Sequence, residues 1–237
     1  MTKQPVERLI DHALLHPTMT DDEIRAGCEL AKRLNLKSVC VKPYSIPLAV
    51  SVLRDSETLV GTVIGFPHGS SPTEIKVAES NWAMDHGATE LDMVVNIGKA
   101  KQGDWKFVSQ DIAAVVNAAH SRNVIVKVIF ETDYLTDTAT KQKLCEICEQ
   151  VGADFVKTST GFGFVKVASG DYNYVGATEQ DIELMRKSCS DKVGVKASGG
   201  VRDFEQASRL VELGASRLGT SASEAIVNRS GKDAKSY

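Results

Sequence analysis

Nowhere does this sequence hold about 18 consecutive apolar residues, the least that crosses a membrane as a helix. Its opening stretch, MTKQPVERLIDH, has no apolar centre of the kind a secretory signal needs. No segment gathers Lys and Arg into a basic block, and the formal charge is −3, which argues against a nucleic-acid partner. The five cysteines are odd in number and irregularly spaced, so a disulfide framework is not expected and reduced thiols in a cytoplasmic protein are. Cys145-x-x-Cys148 has no second CxxC and no paired histidines to complete a zinc site, and its i, i+3 spacing fits two small core residues of an amphipathic helix. No metal and no cofactor are therefore expected. The five histidines are scattered, and none stands out as the base of a nucleophile.

Apolar residues make up 42% of the chain and charged residues 25%, the balance of a globular domain, and no stretch reads as a linker. One domain over residues 1–237 is expected, with a flexible polar tail at 229–237.

Short β-rich runs alternate with amphipathic runs from end to end. The β-runs are RLIDHALL, SVCV, TLVGTVIGF, TELDMVVNI, NVIVKVIF, ADFVKTS, VGVKAS and SRLGTS. Several are nearly unbroken Val, Ile and Leu, as when both faces of a parallel strand are covered. Helix starts stand between them. Thr20 to Glu23 has the form of a capping box, and Asp104, Thr178 and Asp203 precede helical runs. Ser71 with Pro72 is read as a cap and a first-turn proline. Gly-Ala recurs between helix and strand in DHGATEL, QVGADF and ELGASR, where glycine can close a helix in the left-handed region. Eight β-runs with helices between them fit a single (β/α)8 TIM barrel of the α/β class. The competing open doubly wound sheet normally carries a glycine fingerprint in its first turn, whereas the glycine-rich turns here come late.

Ionisable residues interrupt these apolar runs: Asp11, Asp92, Lys127, Lys157 and Lys196. Any one of them could be a strand-end charge reaching water or half of a buried pair. Five converging on one barrel mouth suggest perturbed pKa values and chemistry. A free lysine has a pKa of about 10.4, so about one amine in 2,500 is neutral at pH 7. Lowering it to about 7 takes roughly 4–5 kcal/mol, which burial and a second ammonium can supply. Lys157 and Lys196 fall on consecutive barrel strands, which points to Schiff-base chemistry, with a carboxylate such as Asp92 moving protons. The late turns KASGGVR and RLGTS follow the seventh and eighth β-runs, where this fold often binds phosphate. Ser198, Thr220 and Ser221 offer hydroxyl donors there.

These residues together resemble the deoxyribose-phosphate aldolases. The matches are IDHALL, VCVKP, GTVIGFPHG, GATELDMVVNIG, VKVIFET, GADFVKTSTGF, VGVKASGGVR and RLGTS, in family order from about residue 9 to residue 221. The resemblance implies that Lys157 forms the Schiff base, Lys196 lowers its pKa, and Asp92 relays protons. Asp11 and Lys127 would belong to the surrounding polar network, and a C-terminal Tyr237 would assist proton transfer. Gly161, Gly199, Gly200, Val201, Arg202, Gly219 and Ser221 would hold phosphate. The implied reaction is reversible cleavage of 2-deoxy-D-ribose 5-phosphate to acetaldehyde and D-glyceraldehyde 3-phosphate, in deoxyribonucleoside catabolism. Partners would be small phosphorylated sugars and aldehydes, and apolar outer helix faces suggest a homo-oligomer, a dimer first.

The chain departs from the pattern after Gly161. FGFVKVASGDYNYVG is longer than the short turn of many members, and Phe162 stands where some carry a lysine. Lys166 is a candidate substitute cation, and Ala222 stands where some members have a second serine. Two other readings stay open: an imine-forming barrel with a different substrate, and a phosphate-binding barrel without catalysis.

Overall fold

The computed structural model describes residues 4–166 and 168–229. Tyr237 and the tail from 230 onward lie outside the described residues. In chain order the elements are β1 (Ile10–Leu14), α1 (Asp21–Arg33), β2 (Ser38–Val41), α2 (Ile46–Leu53), β3 (Leu59–Ile64), α3 (Thr73–Asp85), β4 (Glu90–Val94), α4 (Ile97–Lys101), α5 (Trp105–His120) and β5 (Ile125–Ile129). They continue with α6 (Thr138–Val151), β6 (Phe155–Lys157), β7 (Val165–Lys166), β8 (Tyr172–Asn173), α7 (Glu179–Ser188), β9 (Gly194–Ser198), α8 (Phe204–Glu212), β10 (Arg217–Thr220) and α9 (Ser223–Val227).

Eight parallel strands close into a barrel in the order β1-β10-β9-β6-β5-β4-β3-β2, and β7 and β8 form a separate antiparallel hairpin. The TIM-barrel expectation holds, and each of the eight β-runs supplies one barrel strand. The weak first run closes the ring, because β1 pairs with β10 on one side and β2 on the other.

The helices begin where local chemistry directs them. Thr20 and Glu23 form a reciprocal capping box at α1, and Asp104, Thr178 and Asp203 cap α5, α7 and α8 through backbone N–H groups three residues on. The cap of α3 differs from expectation by one position. Pro72, in extended backbone, takes the cap position itself, and its carbonyl accepts the first N–H groups, from Ile75 and Lys76. Ser71 therefore caps nothing there. The three Gly-Ala turns behave as read: Gly87, Gly152 and Gly214 all have positive φ. On α5, Val108, Ile112, Val115 and Ala119 recur at helical spacing and are fully buried, each large one worth roughly 1.5–3 kcal/mol of burial. Cys145 and Cys148 are likewise buried on α6. Among the described residues, no helix is long and apolar enough to cross a membrane.

Candidate active site

Alternation along each strand sends every second side chain into the barrel. On β4 that face carries Glu90 and Asp92; on β5, Lys127; on β6, Lys157. The same interior carries Lys196 on β9, next to β6, then Arg217 on β10 and Asp11 on β1. All seven are buried.

They form one connected network. Asp92 Oδ1 accepts from Lys127 at 2.7 Å, and Asp92 Oδ2 accepts from both Lys157 and Lys196, each at 2.7 Å. Lys196 also donates to Asp11 Oδ2 at 2.5 Å. Lys127 reaches Glu90 at 2.7 Å, and Arg217 bridges Glu90 and Asp11. Ser38 Oγ donates to Asp11 at 2.7 Å. The expected group of Asp11, Asp92, Lys127, Lys157 and Lys196 is therefore brought together.

Glu90 and Arg217 were not singled out in the sequence. Their signal was position: Glu90 lies two residues before Asp92, on the same strand face, and Arg217 interrupts an apolar run two residues before Gly219.

The charges do not balance when every group is ionised. Four cations, Lys127, Lys157, Lys196 and Arg217, meet three carboxylates, Asp11, Glu90 and Asp92. Unpaired buried charge is costly, which works against full ionisation of the three lysines within this network. Burial lowers the pKa of Lys157; the Asp92 carboxylate opposes this, and the nearby Lys196 ammonium lowers it further. Burial also works against the charge on Lys196, but Asp11 and Asp92 outweigh it and raise its pKa. Lys127 is raised in the same way, with burial outweighed by Asp92, Glu90 and Asp11. Burial raises Asp92, but Lys127, Lys157 and Lys196 together hold its carboxyl well below the usual range. The site thus sets an amine with a lowered pKa beside an ammonium with a raised one and a carboxyl with a lowered one, a set that suits imine formation and proton transfer.

A cavity of about 830 Å³ opens over Lys157 and Lys196. Gly161 lines it after β6; Gly199, Gly200, Val201 and Arg202 line it after β9; Gly219 and Ser221 line it from β10 onward. Gly199 and Gly200 have φ of +87° and +74°, consecutive left-handed residues that turn the backbone toward the cavity. Two expected hydroxyl donors are otherwise engaged. Ser198 Oγ donates to the Ser159 carbonyl at 2.5 Å, and Thr220 Oγ1 donates to the Val201 carbonyl at 2.6 Å. They shape the turns and have no second proton to give an anion.

The long segment after Gly161 carries the β7–β8 hairpin and brings Phe162, Phe164 and Tyr174 to the cavity wall. Phe162 packs edge-on against Phe66 with ring centres 5.5 Å apart. Lys166 is exposed on β7 and does not line the cavity. Cys40 lines it near Lys157, and burial pushes its thiol up to about 11.

A model of the DeoC/LacD family aldolases matches residues 6–223. The chain belongs to the DeoC/LacD aldolase family. Among relatives of this family, the chain is 49% identical over 224 residues to the deoxyribose-phosphate aldolase of Carboxydothermus hydrogenoformans, covering 94% of this chain and 93% of the relative. It is 47% identical over 229 residues to that of Thermococcus kodakarensis, covering 96% and 97%. The solved structure of QR15, an aldolase, is 36% identical, with a TM-score of 0.85 and 96% of each chain covered. The tetrameric deoxyribose phosphate aldolase of Aeropyrum pernix is 28% identical, with a TM-score of 0.84, 94% of this chain and 89% of that one covered.

Proposed function

We propose that the chain is a deoxyribose-phosphate aldolase that cleaves 2-deoxy-D-ribose 5-phosphate reversibly through a Schiff base on Lys157. The observation that carries this reading is the convergence of Lys157 and Lys196 on Asp92 Oδ2 beneath the cavity. The relatives that bear this activity in their names, at 46–49% identity over nearly the whole chain, support it.

Neutral Lys157 Nζ attacks the C1 aldehyde of the open-chain sugar, and loss of water leaves a protonated imine. A proton leaves the C3 hydroxyl, the C2–C3 bond breaks, and glyceraldehyde 3-phosphate departs. The bond's electrons pass into the imine, which becomes an enamine. Protonation at C2 and hydrolysis then release acetaldehyde and restore the amine. Asp92 relays protons, directly or through water. Lys196 keeps its charge and disfavours a second one on Lys157, while Asp11 and Lys127 hold Asp92 and Lys196 in position. The turns at Gly161, at Gly199 to Arg202 and at Gly219 to Ser221 bind the phosphate, and this remote contact positions C1 against the amine. A role in deoxyribonucleoside catabolism in the cytoplasm belongs to the same reading, supported by five free thiols. So does a homo-oligomer, a dimer first, supported by exposed Tyr44, Ile75 and Trp82.

Incubation with deoxyribose 5-phosphate and borohydride, followed by peptide mass spectrometry, tests the mechanism. A reduced adduct on Lys157 is expected. Turnover without any adduct at Lys157 overturns it.

A further inference from the structure

Four consecutive residues after β5, Glu131 to Tyr134, grip the segment that follows β6. Glu131 Oε2 accepts from the Thr160 N–H at 3.3 Å and, at closer range, from Thr160 Oγ1. Thr132 Oγ1 lies 3.0 Å from Ser159 Oγ. Asp133 accepts from the N–H groups of Val175 at 2.6 Å and Gly176 at 3.0 Å. Tyr134 donates to the Phe164 carbonyl at 3.1 Å. One short turn therefore holds both ends of the chain that carries the hairpin and the Thr160–Phe162 wall of the cavity.

Glu131 is the unusual member. It is 1% exposed, and its φ of +59° lies in the left-handed region, where a non-glycine residue is strained. Its Oε1 has no hydrogen-bond partner among the described residues. Gly163 packs against that oxygen so closely that a Cβ there would come within 2.8 Å of it. A bare buried carboxylate oxygen and a strained backbone are both unfavourable, and such arrangements gather at functional sites. What they secure is visible in Thr160, whose hydroxyl donates to Glu131 and accepts from the Phe162 N–H at 2.9 Å. Gly161 is held between these two bonds.

We propose that Glu131 is a positioning residue for the substrate phosphate, acting through Thr160 to set the Thr160–Gly161–Phe162 turn. The inference rests on the aldolase reading above and names the group that orders its phosphate end. The ionised carboxylate is the form that matches the observed turn, since Oε2 accepts two donors at once. A proton on Oε2 would displace the donation from Thr160 Oγ1 and leave at best the reversed bond, and a proton on Oε1 finds no acceptor among the described residues. Burial pushes the Glu131 carboxyl up to about 7; the two Thr160 bonds and Lys157 pull against this, and Asp133 adds to it. The charged and titratable groups facing it are Lys157 from β6 and, from its own turn, Asp133 and Tyr134. The clamp therefore loosens as pH falls through neutrality, and KM for a phosphorylated substrate rises.

Steady-state kinetics from about pH 6 to 8.5, with deoxyribose 5-phosphate and with unphosphorylated 2-deoxyribose, test this; the sugar phosphate's own second ionisation near about 6 is the baseline. Glu131→Gln is expected to raise KM for the phosphorylated sugar by about tenfold or more, the worth of a hydrogen bond to a charged group, with a smaller change in kcat. Its kcat/KM for 2-deoxyribose should stay near that of the wild type, and the rise of KM toward low pH should shrink to the baseline. Thr160→Val should reproduce the KM defect, Thr160→Ser should largely restore wild-type KM, and the double variant should be little worse than Thr160→Val alone. The Thr160 pair carries the test if Glu131→Gln fails to fold. Wild-type KM in folded Glu131→Gln or Thr160→Val, or equal losses on both sugars, overturns the inference. If the wild type neither cleaves deoxyribose 5-phosphate nor is trapped at Lys157, the aldolase reading falls and takes the inference with it. If trapping succeeds and Glu131→Gln keeps wild-type KM, the inference alone falls.

Discussion

Lys157 and Lys196 stand in register on adjacent strands and donate to the same oxygen, Asp92 Oδ2, each at 2.7 Å. What separates them is their other company. Lys196 has a second carboxylate, Asp11, at 2.5 Å, whereas Asp92 is the one ion-pair partner of Lys157 among the described residues. Two carboxylates raise the pKa of Lys196, whereas burial and the Lys196 ammonium lower that of Lys157 against its one shared carboxylate.

Lys196→Leu removes the cation that presses on Lys157 and leaves Asp92 Oδ2 to Lys157, while Lys127 keeps Oδ1. Both changes raise the pKa of Lys157. The acid limb of kcat/KM against pH should therefore move upward by about one unit or more, and the rate at neutral pH should fall. Lys196→Arg, which keeps the charge, should move the limb less. An unmoved limb in a folded Lys196→Leu protein sinks the coupling.

Asp92→Asn acts in the opposite sense on Lys157, whose amine loses its counter-charge. Its pKa should fall while turnover drops by about 10²–10⁴-fold, the usual worth of a positioned proton relay. Reductive methylation of Lys157 with formaldehyde and cyanoborohydride, followed across pH, reads the first effect, and steady-state assays read the second. Turnover within tenfold of wild type would exclude Asp92 as the relay.

Arg217 is a matter of stability. Its guanidinium bridges buried Asp11 and Glu90, so Arg217→Met strips both carboxylates of the cation they share and leaves them only the cations Lys127 and Lys196 among the described residues. A loss of about 3–5 kcal/mol in denaturant unfolding is expected, with Arg217→Lys recovering part of it, since an ammonium lacks the fork that spans both partners. A loss below about 1 kcal/mol would mean that the network relaxes around the missing charge.

Acid sensitivity should carry a contribution from His12, which is buried against Ser223 Oγ at 2.8 Å. Burial lowers its pKa from 6.5 to about 4. Between those values the unfolded chain binds a proton that the folded protein refuses, so this contribution is full above pH about 6.5 and is lost as pH falls toward 4. The shift corresponds to about 3 kcal/mol. Glu131, raised to about 7, runs the other way over part of the same window. The measurement is therefore the difference between wild type and His12→Asn in unfolding free energy from pH 7 to 4. Parallel curves would show that His12 is not the source.

Much of the site was legible from single residues. A lysine in an apolar run declares itself, as Lys127, Lys157 and Lys196 did, because burying an ammonium is unfavourable without a reason. Glu90 and Arg217 obey the same logic but were masked, one by its neighbour Asp92 and the other by a glycine-rich turn. The hydroxyls of Ser198 and Thr220 misled in the other direction, since a hydroxyl's sequence position says nothing about which carbonyl it will meet. Glu131 was hidden altogether: its meaning lies in a backbone angle and in an oxygen without a hydrogen-bond partner among the described residues.

Strands, caps and helix-closing glycines could be read along the chain because period and capping are local, decided within about four residues. Which charges meet was not local. Asp11 and Lys196 are 185 residues apart and touch because β1 closes the ring against β10. Only that closure brings Asp11 and Arg217 to the charges of the other strands, and burial together with this enclosed charge, more than any motif, lowers the pKa of Lys157 and raises that of Lys196.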